Sequence, residues 1–316
     1  MKVLAAISTC WKGFESNQAI RETWGASLPE GWDLKFFLGG RYFTEKEWKK
    51  LNTVDFIGSP GTLGKCDPSK MNKVEMDLSI LKDDEIILPE VDDGYLGLPW
   101  KTTESLRWAM ERDYDFVVRG FEDTYLFPHV MAKSDVWTHD AAGWNFGCGP
   151  CPAHPNISHS NSPLGGAGYT TSRKAMEVIL DPSNCSLNPL YSSHWGEDTM
   201  VGWALTKANL PLFDDRRFVW DTAIPAAWNR AKFSIHMCDR GRKWNPQEML
   251  DVHTEVINEK KKFPGWDGTC RSCGHTRFRR GIYGPHCRHC GDHHAAGKKS
   301  TSVPQQPIQP QSVPLV

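Results

Sequence analysis

The chain has 316 residues, 39% of them hydrophobic, with 37 Lys+Arg against 38 Asp+Glu. That apolar content supports a sizeable core and excludes a disordered chain, and the balanced charge removes the whole-chain case for a nucleic-acid or acidic-lipid binder. No run approaches the ~18 consecutive apolar residues that a spanning helix needs, and Val3-Leu4-Ala5-Ala6-Ile7 is too short for a signal-peptide core, so a soluble, cytoplasmic protein is expected.

Taken in chain order, Val3-Leu4-Ala5-Ala6-Ile7 is a short apolar run that suits a buried strand. Residues 34–38, ending at Gly39-Gly40, make a second candidate strand and 54–57 a third. Met71, Val74, Leu78 and Leu81 recur at helical spacing, and Ile86-Ile87-Leu88 follows as a strand. Thr102 or Thr103 can cap a helix carrying Leu106, Ala109 and Met110, before Phe116-Val117-Val118 returns to strand texture. Ser172 can cap a helix with Met176, Ile179 and Leu180. Gly196-Glu197-Asp198 reads as the start of another, with Val201, Ala204, Leu205 and Ala208 as its apolar stripe. Strands alternating with helices predict an α/β domain over residues 1–265, a sheet sandwiched between helices.

Past Pro264 the composition changes. Residues 266–294 hold Cys270, Cys273, Cys287 and Cys290, two Cys-x2-Cys pairs 13 residues apart, with many Arg and His and almost no aliphatic side chains. Such a segment cannot build an apolar core. Four thiolates from two knuckles can surround one tetrahedral Zn²⁺, and four protein ligands leave no open position, so the expected zinc is structural. Reduced or disulfide-bonded cysteines are the plainer alternative, and Arg271, Arg277, Arg279, Arg280 and Arg288 could touch nucleic acid. Residues 295–316, rich in Pro and Gln, read as a disordered tail. Cys148-Gly149-Pro150-Cys151 has the spacing of a redox pair. Pro152 and Pro155 preclude the following helix that would lower its thiol pKa, so a loop staple or incidental spacing is expected.

Two acidic pairs could carry chemistry. Glu122-Asp123 follows the strand at 116–118, and carboxylates there suit a hard divalent cation such as Mn²⁺ or Mg²⁺, or else a solvated turn. Glu197-Asp198 could serve a reaction or simply cap the helix and complement its dipole.

The order of motifs resembles the inverting β-1,3-galactosyltransferase/β-1,3-N-acetylglucosaminyltransferase family, including its Fringe-like branch. Asn17-Gln18-Ala19-Ile20-Arg21-Glu22-Thr23-Trp24-Gly25 is similar to that family's R-x-A-I-R-x-T-W-G, and Phe36-Phe37-Leu38-Gly39 to its F-x-L-G. Glu75, Ile86-Ile87, Asp92-Asp93-Gly94-Tyr95, Leu98, Lys101-Thr102 and Trp108 follow in family order. Gly165-Gly166-Ala167-Gly168-Tyr169 with Ser172 resembles G-x-G-Y-x-x-S, and Glu197-Asp198 with Val201-Gly202 resembles E-D-V-x-x-G. The resemblance covers about residues 3–240. It departs from the family at the Asp-Asp-Asp metal motif, where this chain has Phe121-Glu122-Asp123.

The resemblance implies a GT-A fold, Rossmann-like, that binds a UDP-sugar at strand carboxyl ends and transfers a hexose or N-acetylhexosamine with inversion. The acceptor would be a hydroxyl of a glycan, a glycoprotein or another molecule. It makes Asp198 the base, with Glu197 the next candidate. It gives Asp123 and a late histidine, here His236, to a Mn²⁺ or Mg²⁺ ion, and lets Glu122 assist through water or the ribose. Arg21, Lys101, Gly166 and Gly168 complete the implied donor site, the glycines by letting backbone approach the sugar closely. The alternatives are a catalytically inactive sugar- or nucleotide-binding descendant, motivated by Phe121, and a nucleic-acid-binding protein acting through the zinc ribbon. The family's usual membrane anchor is not seen in the chain.

Overall fold

The computed structural model describes residues 1–44, 47, 77–94, 97–145, 161–184, 189–219, 232–237, 245–262, 278–281 and 284–287. Strand β1 (Val3–Ser8) is buried at every position, which is why it reads as an unbroken apolar run rather than an alternating one. It lies inside a parallel set with β2 (Trp32–Arg41), β3 (Glu85–Asp92) and β4 (Phe116–Phe121), in the spatial order β3-β2-β1-β4. Its register pairs Ile7 with Phe36 on one side and with Gly120 on the other, so these strands finish at the same edge. Beyond β4 the sheet turns mixed. After the short β5 (Thr124–Leu126), the strands β6 (Ala141–Gly143), β7 (Tyr169–Ser172) and β8 (Phe213–Asp214) complete a seven-stranded sheet, β3-β2-β1-β4-β7-β6-β8, with β7 antiparallel to both neighbours.

Side chains alternate across the sheet with period two. Val3, Ala5, Ile7, Phe36 and Leu38 face one core with Ile20 of α1 (Phe14–Glu22). Leu4, Ala6, Phe37 and Val117 face the other, where Leu106 and Ala109 of α2 (Leu98–Met110) pack. A four-residue α3 (Pro128–Met131) follows β5. The second core also takes Met176 and Ile179 from α4 (Arg173–Leu180) and Val201, Ala204 and Leu205 from α5 (Pro189–Lys207). Met249 and Val256 of α6 (Pro246–Lys262) close the first core. Each fully buried Val, Leu, Ile, Phe or Met among them contributes about 1.5–3 kcal/mol, and an alanine less. This parallel-rich sheet between two helical layers fits a Rossmann-like glycosyltransferase domain.

A second, three-stranded sheet joins β5 to β9 (Phe218–Val219) and β10 (Ser234–His236), with β10 in the middle. Strands β11 (Phe278–Gly281) and β12 (Gly284–Cys287) form an antiparallel hairpin pairing Phe278 with Cys287. Cys270, Cys273 and Cys290 lie outside the described residues, as do 54–57, Met71, Val74, Cys148, Cys151 and the tail at 295–316.

One local expectation holds and several are corrected. Ser172 does cap α4, accepting from the Ala175 N–H. Thr102 and Thr103 do not cap α2, because that helix begins at Leu98 with Pro99 in its first turn, where proline's missing donor costs nothing. Leu78 belongs to a 3₁₀ turn, Leu78–Ile80, and Leu81 is its closing residue. Helix α5 starts at Pro189, so Glu197 and Asp198 sit in its interior, and Ala208 lies past its end.

Candidate active site

The carboxyl ends of the parallel strands converge on Asp93, which follows β3. Its Oδ2 accepts from the Trp11 N–H at 2.8 Å and the Tyr42 hydroxyl at 3.3 Å. Its Oδ1 accepts from the Gly39 N–H at 2.9 Å and from Lys101 Nζ at 3.0 Å. Lys101, only 1% exposed, also donates to the carbonyls of Thr9 (2.6 Å) and Asp93 (2.9 Å). One buried ion pair thus ties the loops after β1, β2 and β3 to helix α2. The ammonium has three protons, and all three have acceptors within the fold. Arg21, at the end of α1, is likewise engaged by Asp84 at 2.6 Å and Glu85 at 2.7 Å, beside the start of β3.

Arg119 on β4 is fully buried, and among the described residues no carboxylate pairs with it. Neutral acceptors surround its guanidinium instead: Thr102 Oγ1 at 2.9 and 3.1 Å, Ser8 Oγ at 2.5 Å, and the carbonyls of Ala6 and Gly120. Thr102 is therefore a buried ligand of Arg119. The ring of Phe121 lies over the guanidinium, 4.7 Å from centroid to Cζ, a cation–π cover. Sequence reading passed over Arg119. Its only signal is an arginine inside an otherwise apolar strand.

Asp123 and His236 are brought together. Strand β10 pairs antiparallel with β5, setting His236 opposite Thr124, and the Met237 N–H donates to the Asp123 carbonyl at 2.7 Å. His236 Nε2 then lies 3.2 Å from Asp123 Oδ2. One carboxylate oxygen and one imidazole nitrogen suit a divalent cation. Among the described residues no three His, Cys, Asp or Glu side chains converge into a complete shell. Half-buried Glu122 beside them is pushed up to about 7, first by burial and then by the charge of Asp123. The Cys10 thiol, after β1, is pushed up to about 11 by burial, with the charges of Glu122 and Asp93 adding to it.

The glycine-rich turn lies between this pair and α5. Gly168 has φ +79°, and a Cβ there would stand 2.8 Å from the Arg119 carbonyl, so only glycine fits. The Gly166 carbonyl accepts from Thr124 Oγ1 at 3.1 Å, and the Ala167 carbonyl accepts from Ser234 Oγ. On the other side Gly165 packs directly on α5: its N–H reaches Asp198 Oδ2 at 3.4 Å, and a Cβ would come within 2.7 Å of Glu197 Oε1. Asp198 Oδ1 accepts from Thr199 N–H (2.8 Å) and Oγ1 (3.4 Å).

Glu197 is 2% exposed and is pushed up to about 8 by burial, then by the charge of Asp198. Burial raises Asp198 too, opposed by its hydrogen bonds. Because Asp198 lies inside α5, the helix-terminus dipole expected to favour its ionised form does not act on it, and hydrogen bonds do that work. Of the residues singled out from sequence, the structure gathers Asp123, His236, Gly166, Gly168, Glu197 and Asp198 around one turn.

No family model matches the chain. It aligns with beta-1,3-galactosyltransferase 1 of Mus musculus, Homo sapiens and Gorilla gorilla gorilla, at 25% identity over 279 residues in each case. The alignments cover 80% of this chain and 73% of each relative. This distant homology supports a galactosyltransferase-like family. Among the described residues no helix is long and apolar enough to cross a membrane.

Proposed function

We propose that the chain is a divalent-cation-dependent, inverting glycosyltransferase that moves a hexose or N-acetylhexosamine from a UDP-sugar to an acceptor hydroxyl, in β-1,3 linkage. The observation that carries this reading is the glycine-rich turn. It is hydrogen-bonded through Thr124 and Ser234 to the strands that hold Asp123 and His236, and through Gly165 to Asp198. A metal–diphosphate pole and a base are what single displacement needs on the two sides of an anomeric carbon.

Asp123 and His236 would hold Mn²⁺ or Mg²⁺, with donor oxygens supplying further ligands. When bound, the ion would neutralise charge on the departing diphosphate. Asp198 would accept the proton of the acceptor hydroxyl as its oxygen attacks C1. Half-buried Gly166 would leave backbone open to the sugar, while Gly165 and Gly168 let the turn pack closely on α5 and β4. Lys101 supports the site from within the fold by fixing Asp93, whereas Arg21 is engaged by Asp84 and Glu85 beside the start of β3. A screen of UDP-sugars for Mn²⁺-dependent UDP release tests the reading. UDP-sugar binding without release in any acceptor screen would mark a sugar-binding protein that has lost catalysis.

We also propose one structural Zn²⁺ held by Cys270, Cys273, Cys287 and Cys290. The β11–β12 hairpin between the two Cys-x2-Cys pairs supports this, since it returns Cys287 to the open end of the ribbon. Metal analysis should find about one zinc per chain. Its absence would leave the cysteines without that role. Nucleic-acid retention that disappears on deleting residues 266–316 would assign the segment's arginines instead.

A further inference from the structure

We propose that Glu197 is a positioning residue held in its neutral acid form, so that the adjacent Asp198 alone carries the charge the reaction uses. The proposal rests on the transferase reading for what Asp198 does, but not for how the two carboxyls divide one proton.

The hydrogen bonds decide the division. Among the described residues Asp198 accepts from three donors, the N–H groups of Thr199 and Gly165 and the Thr199 hydroxyl, and Glu197 from one, the Tyr169 hydroxyl, at 3.5 Å to Oε2. Its Oε1 is buried with no partner among the described residues, pressed toward Gly165. Donors stabilise a carboxylate, and a dry carboxylate without them is costly, so the charge settles on Asp198.

The titratable and charged groups facing Glu197 among the described residues are Asp198 on its own helix, Tyr169 on β7 and Arg119 on β4. The glycine turn adds only backbone. Arg119 favours the ionised form of Glu197, but no ion pair forms between them, and burial and Asp198 outweigh it. Two neighbouring charges in a dry site are mutually unfavourable, so ionising Glu197 should disturb the charge on Asp198 or the seat of the turn.

The expected signature is spectroscopic and thermodynamic before it is kinetic. In the full chain at pH 7, the infrared difference between wild type and Glu197→Gln should show a protonated-carboxyl stretch belonging to the wild type. That stretch should titrate out near pH 8 and persist in Asp198→Asn. The folding constant of the wild type should fall with pH relative to Glu197→Gln, by up to tenfold per unit between about pH 5 and 8. The sign follows from the raised pKa, because over that window the folded state holds a proton that the unfolded state has lost.

If transfer is measurable, the alkaline limb of the kcat profile should move to higher pH in Glu197→Gln, whatever the height of the profile. A wild-type stretch that disappears in Asp198→Asn and survives in Glu197→Gln would overturn the proposal. So would identical pH dependence of folding in wild type and Glu197→Gln. Absence of turnover in every protein with the stretch still assigned to Glu197 would overturn the transferase reading and leave the division of charge standing.

Discussion

His236 Nε2 lies 3.2 Å from Asp123 Oδ2, and it is there because β10 pairs with β5 in the register that sets His236 against Thr124. Two side chains distant in sequence thus form one potential chelate at the strand ends. Asp123→Ala should reduce Mn²⁺-dependent binding of a UDP-sugar to the level seen without metal, because no other described carboxylate joins this pair. Calorimetric titration with and without Mn²⁺ is the check. Undiminished Mn²⁺ dependence in Asp123→Ala would remove the pair as the donor's metal site.

Phe121 stands where the family resemblance expects an aspartate, and its ring covers Arg119. A carboxylate introduced by Phe121→Asp would face a guanidinium that has no carboxylate partner among the described residues. Ion pairing to Arg119 should then compete with metal coordination, so Mn²⁺ affinity should change by less than about tenfold, within roughly 1.4 kcal/mol. A much larger gain in a Mn²⁺ titration would mean that the new carboxylate turns to the metal.

Asp198→Asn keeps the shape and one acceptor oxygen but cannot take a proton. Turnover should fall by about 10²–10⁴-fold, the usual contribution of a positioned acid or base, while UDP-sugar affinity barely changes. Steady-state kinetics paired with donor titration separates the two quantities. Near-parental turnover would reduce Asp198 to a residue that merely holds Gly165 and Thr199 in place.

Lys101→Met should act on stability rather than chemistry. It removes the cation from a pair with Asp93 in which the side chains are 1% and 0% exposed, leaving that carboxylate buried with three remaining donors. Breaking one side of a buried pair costs about 3–5 kcal/mol. Urea denaturation should show that loss. A cost below about 1 kcal/mol would mean that Asp93 is held adequately by Trp11, Gly39 and Tyr42 alone.

The strands and the general α/β order were legible because they rest on local patterns. The apolar run at Val3 to Ile7 forms β1, the run at 34–38 lies in β2, and Ser172 caps the helix it precedes. The start of α5 was not legible, because Gly196-Glu197-Asp198 has the composition of a helix opening while the helix continues back to Pro189. The error carried a chemical consequence. A carboxylate at a helix terminus is stabilised by free amides, whereas Asp198 in the interior depends on a side-chain hydroxyl and the amides of Thr199 and Gly165.

Motif order in the sequence singled out Asp123, His236, Glu197 and Asp198, and the fold sets Asp123 beside His236 and Glu197 and Asp198 against the glycine-rich turn. Sequence also set the alternation of faces, since periodicity is a property of neighbouring residues. Tertiary structure decided which polar groups are already engaged. Lys101 is locked on Asp93 and Arg21 on Asp84 and Glu85, while among the described residues Arg119 has neutral acceptors and a ring above it. Those partners come from strands and loops distant in sequence. A buried ion's state depends on the donors and charges within a few ångströms, so only the folded chain assigns it.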